Sequence, residues 1–261
     1  MNPLTNKNLK ALGMLFICSL SLNSIAQVKK NFVINGSLNN MAAMPAKIYL
    51  NYDNVSGKKP DSAVVKDGKY ILKGTVDISV LATVALLKGD VKQGKDELGI
   101  MLDQGVLAVN SDQSLSNSTV TGTGAAANDE YHKITAFAFN ESAAIKKIME
   151  SDAYKTDETV KKSVQDRSRN LLGNALMNVI GYIRKNPESP VSPYFTYTML
   201  ASGFVTPEMM DTLNRALPAS ARTTSVGKGI DEVFQKRKKA ALEAAAVRKA
   251  ADDKIPLGSK A

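Results

Sequence analysis

The sequence predicts an α+β chain in which an antiparallel β-sandwich or barrel-like sheet is followed by an all-helical module. Three observations carry that expectation. From about Asn31 to Thr123, short β-branched and aromatic runs alternate with Gly, Asn and Asp turns. Near Gly124 the apolar period lengthens to that of a helix. Beyond Asn186, proline recurs just inside fresh helix starts.

Taken in order, Phe32-Val33-Ile34 runs into Asn35-Gly36, and Lys47-Ile48-Tyr49-Leu50-Asn51-Tyr52 alternates with period two. Ala63-Val64-Val65 meets Tyr70-Ile71-Leu72 across Asp67-Gly68, a hairpin signal because glycine takes positive φ without a steric cost. Further strands are expected over Val80 to Leu87, Leu98 to Leu102, Val106 to Asn110 and Ser118 to Thr121. The first helix is expected from Asn128 to about Met149, with Tyr131, Ile134, Ala138, Ile145 and Ile148 on one face. A second, from about Asp157 to Lys185, carries Val160, Val164, Leu171, Leu172, Ala175, Leu176, Val179, Ile180 and Ile183 in a stripe, and Asn186-Pro187 stops it. Ser192-Pro193 and Thr206-Pro207 read as cap residue plus first-turn proline. The last helix, about Lys228 to Lys249, is rich in alanine and charge and reads as a surface or connecting helix.

The N-terminus sets the expected compartment. Lys7 and Lys10 precede an uncharged run from Ala11 to Leu22, and Ser24-Ile25-Ala26 supplies a small-residue cleavage site, the form of a secretory signal over residues 1–26. The run is too short to span a bilayer, and no later segment is long and apolar enough, so no transmembrane span is expected. The chain is expected to be exported, to the periplasm or an outer-membrane-associated envelope. Its single cysteine, Cys18, lies inside the apolar run, so cleavage after Ala26 leaves no thiol. Cys18 is also the candidate lipid-anchor position, against which stands the bulky Ile17 before it.

Composition excludes several chemistries. The net charge of +9 falls to +7 once Lys7 and Lys10 are removed, and the remaining charge is spread out rather than clustered. The densest block, Lys236-Arg237-Lys238-Lys239, has only Phe234 as an aromatic neighbour and reads as a solvated helix face, so no nucleic-acid partner is expected. His132 is the only histidine, which rules out metal sites needing two imidazoles and leaves no triad motif around it. Gly122-Thr123-Gly124 lacks the further glycine and lysine of a phosphate loop and reads as the bend between modules. The acidic pairs Asp96-Glu97, Asp129-Glu130 and Asp252-Asp253 are adjacent residues that point apart, so they do not converge on one substrate atom. No catalytic residue, cofactor or metal ligand is assigned. The candidate partner-binding residues are Tyr194 and Tyr197, three apart on one helix and hence on a common side.

Phe32-Val33-Ile34-Asn35-Gly36, Ile48-Tyr49-Leu50, Asp61 to Val65 with Asp67-Gly68-Lys69-Tyr70 and Gly74, and Val120-Thr121-Gly122-Thr123 together resemble the domain of unknown function DUF4369 of secreted Bacteroidetes proteins. The stretch with Asn186-Pro187-Glu188-Ser189-Pro190 and Pro193-Tyr194-Phe195 is similar to the helical segment on the C-terminal side of that domain in the same family. The resemblance implies that Ile255 to Ala261 is a junction toward a thioredoxin-like domain of the AhpC/TSA or thiol-disulfide oxidoreductase type. It implies four divisions: a signal over 1–26, a DUF4369-like β module over 27–124, a helical module over 125–250 and a linker over 251–261. The family's redox centre is a Cys-x-x-Cys pair, which this chain lacks. The expected role is therefore a non-catalytic accessory or partner-binding region of a periplasmic thioredoxin-like thiol-disulfide oxidoreductase, with that domain supplied in cis or in trans. Two alternatives stand beside it: an independent envelope binding protein for a glycan, peptide or lipid, and a hydrolase using His132 or unannounced carboxylates.

Overall fold

The structure, a computed structural model, describes residues 29–86 and 96–252. The expected signal over 1–26, the lipid-anchor position Cys18, Leu87 and most of the expected linker lie outside the described residues. Among the described residues eight strands come first: β1 Lys30–Asn39, β2 Lys47–Tyr52, β3 Asp61–Val64, β4 Lys69–Val76, β5 Val80–Ala85, β6 Glu97–Leu102, β7 Gly105–Asp112 and β8 Ser114–Thr121. They form two four-stranded sheets, ordered β4-β1-β7-β8 and β3-β2-β5-β6, which do not close into a barrel. Alternating side chains meet between the sheets: Phe32, Ile34 and Leu38 of β1 and Leu107 and Val109 of β7 on one side, Ile48, Leu50, Val84 and Ile100 on the other, all nearly or fully buried.

Two features depart from a local reading of the chain. Asn35-Gly36 does not end β1: the strand runs on to Asn39, and the Tyr70 ring lies over Gly36 so closely that a Cβ there would sit 1.9 Å from Tyr70 Cζ. The glycine serves close approach within a strand, not a turn. Asp67-Gly68 does form a two-residue turn, with both residues left-handed (φ 50° and 69°) and reciprocal Lys66–Lys69 backbone bonds of 2.9 Å. The hairpin stops at that bridge, because β3 pairs with β2 in one sheet while β4 pairs with β1 in the other. The turn is thus a corner between layers. One pair is also parallel, β1 with β7 from Phe32↔Gly105 to Asn39↔Asp112, where purely antiparallel sheets were expected.

Among the described residues seven helices follow: α1 Ala126–Met149, α2 Asp152–Thr156, α3 Glu158–Lys185, α4 Ser192–Ser202, α5 Pro207–Ala216, α6 Ala219–Arg222 and α7 Ser225–Asp252. Asp157 caps α3 by accepting from the Thr159 amide (2.7 Å), and Thr206 caps α5 by accepting from Met209 (3.3 Å). Ser192 is not a cap. Its hydroxyl donates to the Asn186 carbonyl (2.6 Å), closing the turn after α3, and α4 starts from Val191 without a side-chain cap. Helices α1 and α3 bury or half-bury the expected faces, apart from Leu172, which is exposed. The last helix is only half as expected: Val226, Ile230 and Phe234 seat its first half in the core, whereas every residue from Lys238 to Ala250 is exposed. No helix among the described residues is long and apolar enough to cross a membrane.

One apolar cluster joins strands and helices, from Phe32 and Ile34 through Val179, Ile183 and Phe195 to Ile230. At the sheet edge, β6 meets α1: Asn128, itself buried, accepts from the Met101 amide (3.1 Å) and so satisfies an edge donor that has no strand partner.

Candidate functional site

The junction of sheets and helices holds most of the buried polar chemistry. The chain leaves β2 at Tyr52 and makes a single 3-10 turn, Asn54–Ser56, capped by Asp53, whose Oδ1 accepts from the Val55 amide (3.0 Å). The other oxygen of Asp53 accepts from the Tyr194 hydroxyl (2.9 Å) across 141 residues. Tyr194 is buried, and burial followed by the Asp53 charge pushes its hydroxyl well above the ordinary tyrosine range. Tyr197 is half-buried one turn later, with its ring against Gly229 of α7, and its hydroxyl is shifted the same way by burial, Asp53 and Glu232. The two tyrosines do share a side of α4, and that side faces the 3-10 turn and α7.

Between them, Phe195 stacks on Tyr131 of α1 (centroids 5.6 Å, 10° between planes) and meets Tyr182 of α3 edge-on at 6.2 Å. Glu130 accepts from the hydroxyls of Tyr182 and Ser189, whose oxygens lie 2.8 Å apart. Burial pushes Tyr182 up to about 12. The arrangement locks α1, α3 and α4 to one another. Burial raises all four phenols of the cluster, and those of Tyr182 and Tyr194 contact a carboxylate, Glu130 and Asp53, so these contacts position the elements that carry them.

The other residues singled out by sequence lie apart. His132 is exposed on α1, edge-on to Tyr131 at 5.6 Å. Asp96 accepts from the amides of Leu115 and Ser116 (2.8 and 2.9 Å), tying the start of β6 to β8. Among the described residues no group of three or more His, Cys, Asp or Glu is placed to hold a metal ion. Gly122-Thr123-Gly124 turns the chain from β8 into α1, with Gly124 donating to the Val106 carbonyl (3.0 Å).

Several concave surfaces flank this junction, and two of them differ in character. Behind the 3-10 turn, a pocket of about 200 Å³ is lined by Lys29, Ser56, Lys58, Asp77, Val80 and Ser225. Along the helices, an apolar groove of about 210 Å³ lies between α5 and α7, formed by Met210, Phe234, Ala241 and Leu242 and bordered by Asp211, Arg237 and Lys238. Arg237 marks where α7 leaves the body: its guanidinium donates to the carbonyls of Leu200 (3.0 Å), Gly203 (3.3 Å) and Val205 (2.9 Å). Phe204, held between two of those carbonyls, is 60% exposed, and Leu242 is 65% exposed. Sequence reasoning missed both surfaces, since each is assembled from segments distant in the chain. The signal for the second was the run Val226, Ile230, Phe234 at four-residue spacing, which marks where α7 is seated and hence where it stops being so.

Residues 32–131 match the family DUF4369, a domain of unknown function. The match begins at Phe32 in β1 and ends at Tyr131, the α1 residue that stacks on Phe195. No curated protein matches the chain.

Proposed function

We propose that the chain is a non-catalytic, partner-binding element of a thioredoxin-like thiol-disulfide system in the bacterial cell envelope. The observation that carries the reading is the outer half of α7. It extends from a well-anchored base at Arg237 and presents Leu242 beside the apolar α5–α7 groove, under a border of Arg237 and Lys238. Exposed apolar side chains next to a concave apolar surface are features of a docking site. With Asp211 the border carries both signs, and the exposed Lys238 suits a partner domain that offers an apolar patch with a carboxylate beside it. The residues also favour an accessory role over a reducing one: Cys18 is the only thiol, and it precedes the expected cleavage point. The leader-like N-terminus and the resemblance to the DUF4369 proteins of thiol-disulfide pathways support the compartment and the partner class.

Titrating the purified chain into a thioredoxin-like envelope oxidoreductase tests the proposal. Saturable binding is expected, weakened about tenfold or more by Leu242→Glu, which leaves the fold intact because the side chain is exposed. Insulin reduction by the mature chain alone is expected to be silent. Failure of the native chain to bind, or dithiol turnover by it without the partner, overturns the reading.

A further inference from the structure

Beside the α5–α7 groove stands an aromatic ring that the core does not use. Phe204, in the turn from α4 to α5, is 60% exposed, yet its main chain is pinned on both sides. Arg237 holds the carbonyls of Gly203 and Val205 before and after it, Ser202 Oγ accepts from its amide (3.3 Å), and Val205 is buried next to it. A large apolar ring is thus shown to water on a backbone already fixed, which is the state of an interface anchor whose ordering cost is met before binding. Arg237 also lines the groove, so ring and groove are neighbours on the surface. Their shared rim carries both signs. Asp211 of α5 and Lys238 of α7 are exposed and border the groove, with the Lys238 ammonium 6.0 Å from the centroid of the Phe234 ring. Among the described residues neither of them forms an ion pair, whereas the adjacent Lys239 lies 3.9 Å from Glu243.

We infer that this surface pairs with a second copy of itself about a two-fold axis, with Phe204 of each chain in the α5–α7 groove of the other and Asp211 of each against Lys238 of the other. A projecting ring, an apolar hollow, an anion and a cation on one patch are what an isologous contact needs, because whatever one chain offers the other accepts. The sizes agree. An apolar cavity of about 150 Å³ takes a benzene molecule, and the groove holds about 210 Å³ between Met210, Phe234 and Leu242. The rim also selects the occupant: Asp211 repels an anionic lipid surface, whereas a second copy meets it with Lys238. Two rings and two rim pairs make a small contact, so the dimer forms reversibly and with concentration. Because the groove is the one assigned above to a partner domain, self-association and partner docking exclude one another, and the dimer covers Leu242 until a partner displaces it. Which domain that partner is has no bearing on the contact.

Sedimentation velocity on the purified chain alone, over about a hundredfold range of concentration, tests the contact. The native chain is expected to move from monomer toward dimer mass as concentration rises. Phe204→Ala is expected to weaken the dimer about tenfold or more, whereas Phe139→Ala, similarly exposed on α1, leaves it unchanged. Asp211→Lys and Lys238→Glu are each expected to weaken it about threefold to tenfold when alone. A mixture of those two variants is expected to recover the native affinity, since unlike charges then meet on both sides of the axis. A chain that stays at monomer mass throughout, a Phe204→Ala variant that dimerises as the native chain does, or a mixture no better than its components overturns the inference. No oxidoreductase enters these measurements, so the titration described above judges the partner separately.

Discussion

The two halves of α7 differ more than their composition suggests. Both are charged, yet Val226 and Ile230 are fully buried and Phe234 is 7% exposed, while Leu242 and Val247 are 65% and 70% exposed. The difference lies in spacing. Val226, Ile230 and Phe234 recur every four residues and project from one side into the core formed with α4, α5 and α6. Beyond Arg237 the same side carries Ala241, Ala244 and Ala245, which offer little surface to bury. A few well-placed branched and aromatic residues thus decide where a helix is seated, and alanine content does not. The inner half belongs to the core, and the outer half is exposed.

That contrast yields graded outcomes. The largest belongs to Ile230→Ala, which empties a fully buried position and is expected to cost about 2–5 kcal/mol in urea unfolding. If the loss were small, the inner half would not be seated as described. Next comes alkaline sensitivity of the packed body. Burial pushes Tyr70 up to about 12, against an ordinary value of about 10 in the unfolded chain. The unfolded state gives up that proton first, so Tyr70's contribution is intact below about pH 10 and is lost between about 10 and 12, about 3 kcal/mol in all. Tyr52, Tyr131 and Tyr194 shift in the same direction. Denaturation followed against pH should turn down steeply above about 10, and Tyr70→Phe should shallow the fall. Because the Tyr70 hydroxyl is buried without a partner among the described residues, that variant should change neutral-pH stability by no more than about 1 kcal/mol.

Arg237→Ala comes third. Three carbonyls lose a charged donor at the base of the projecting half, and an expected cost of about 1.5–3 kcal/mol would appear as a lowered urea midpoint. Smallest is Leu242→Ala, expected within about 0.5 kcal/mol of the native chain in the same assay, since its side chain contributes to a surface and not to the core. A large destabilisation there would mean that the outer half is packed after all.

Much of the fold was legible because its signals are local. Strand alternation around Ile48 and Leu107, the stop at Asn186-Pro187, the Thr206 cap and the bend at Gly122 to Gly124 each depend on neighbours within a few residues. What escaped depends on distant partners. Asn35-Gly36 has the composition of a turn, and only the Tyr70 ring lying across it shows why glycine is needed inside a strand. Asp67-Gly68 turns as its residues demand, but which sheet each flanking strand joins is settled by β1 and β2. Likewise, the shared side of Tyr194 and Tyr197 follows from helical spacing, whereas Asp53, 141 residues from Tyr194, does not. Lys58 carried no signal at all, because a lysine among polar residues looks the same whether it is solvated or laid over an aromatic ring.

The parallel pairing of β1 with β7 fixes an order of events. β1 is an inner strand of its sheet, flanked by β4 and β7, and its β7 partners lie 73 residues further along. As the polypeptide emerges from its N-terminal end, one border of β1 stays open until Gly105 to Asp112 has been delivered. Closure of that sheet is therefore a long-range, slow step. Until then the row of unmet amides on β1 is what a holding chaperone would need to cover, and a fragment ending before Gly105 would keep that row exposed.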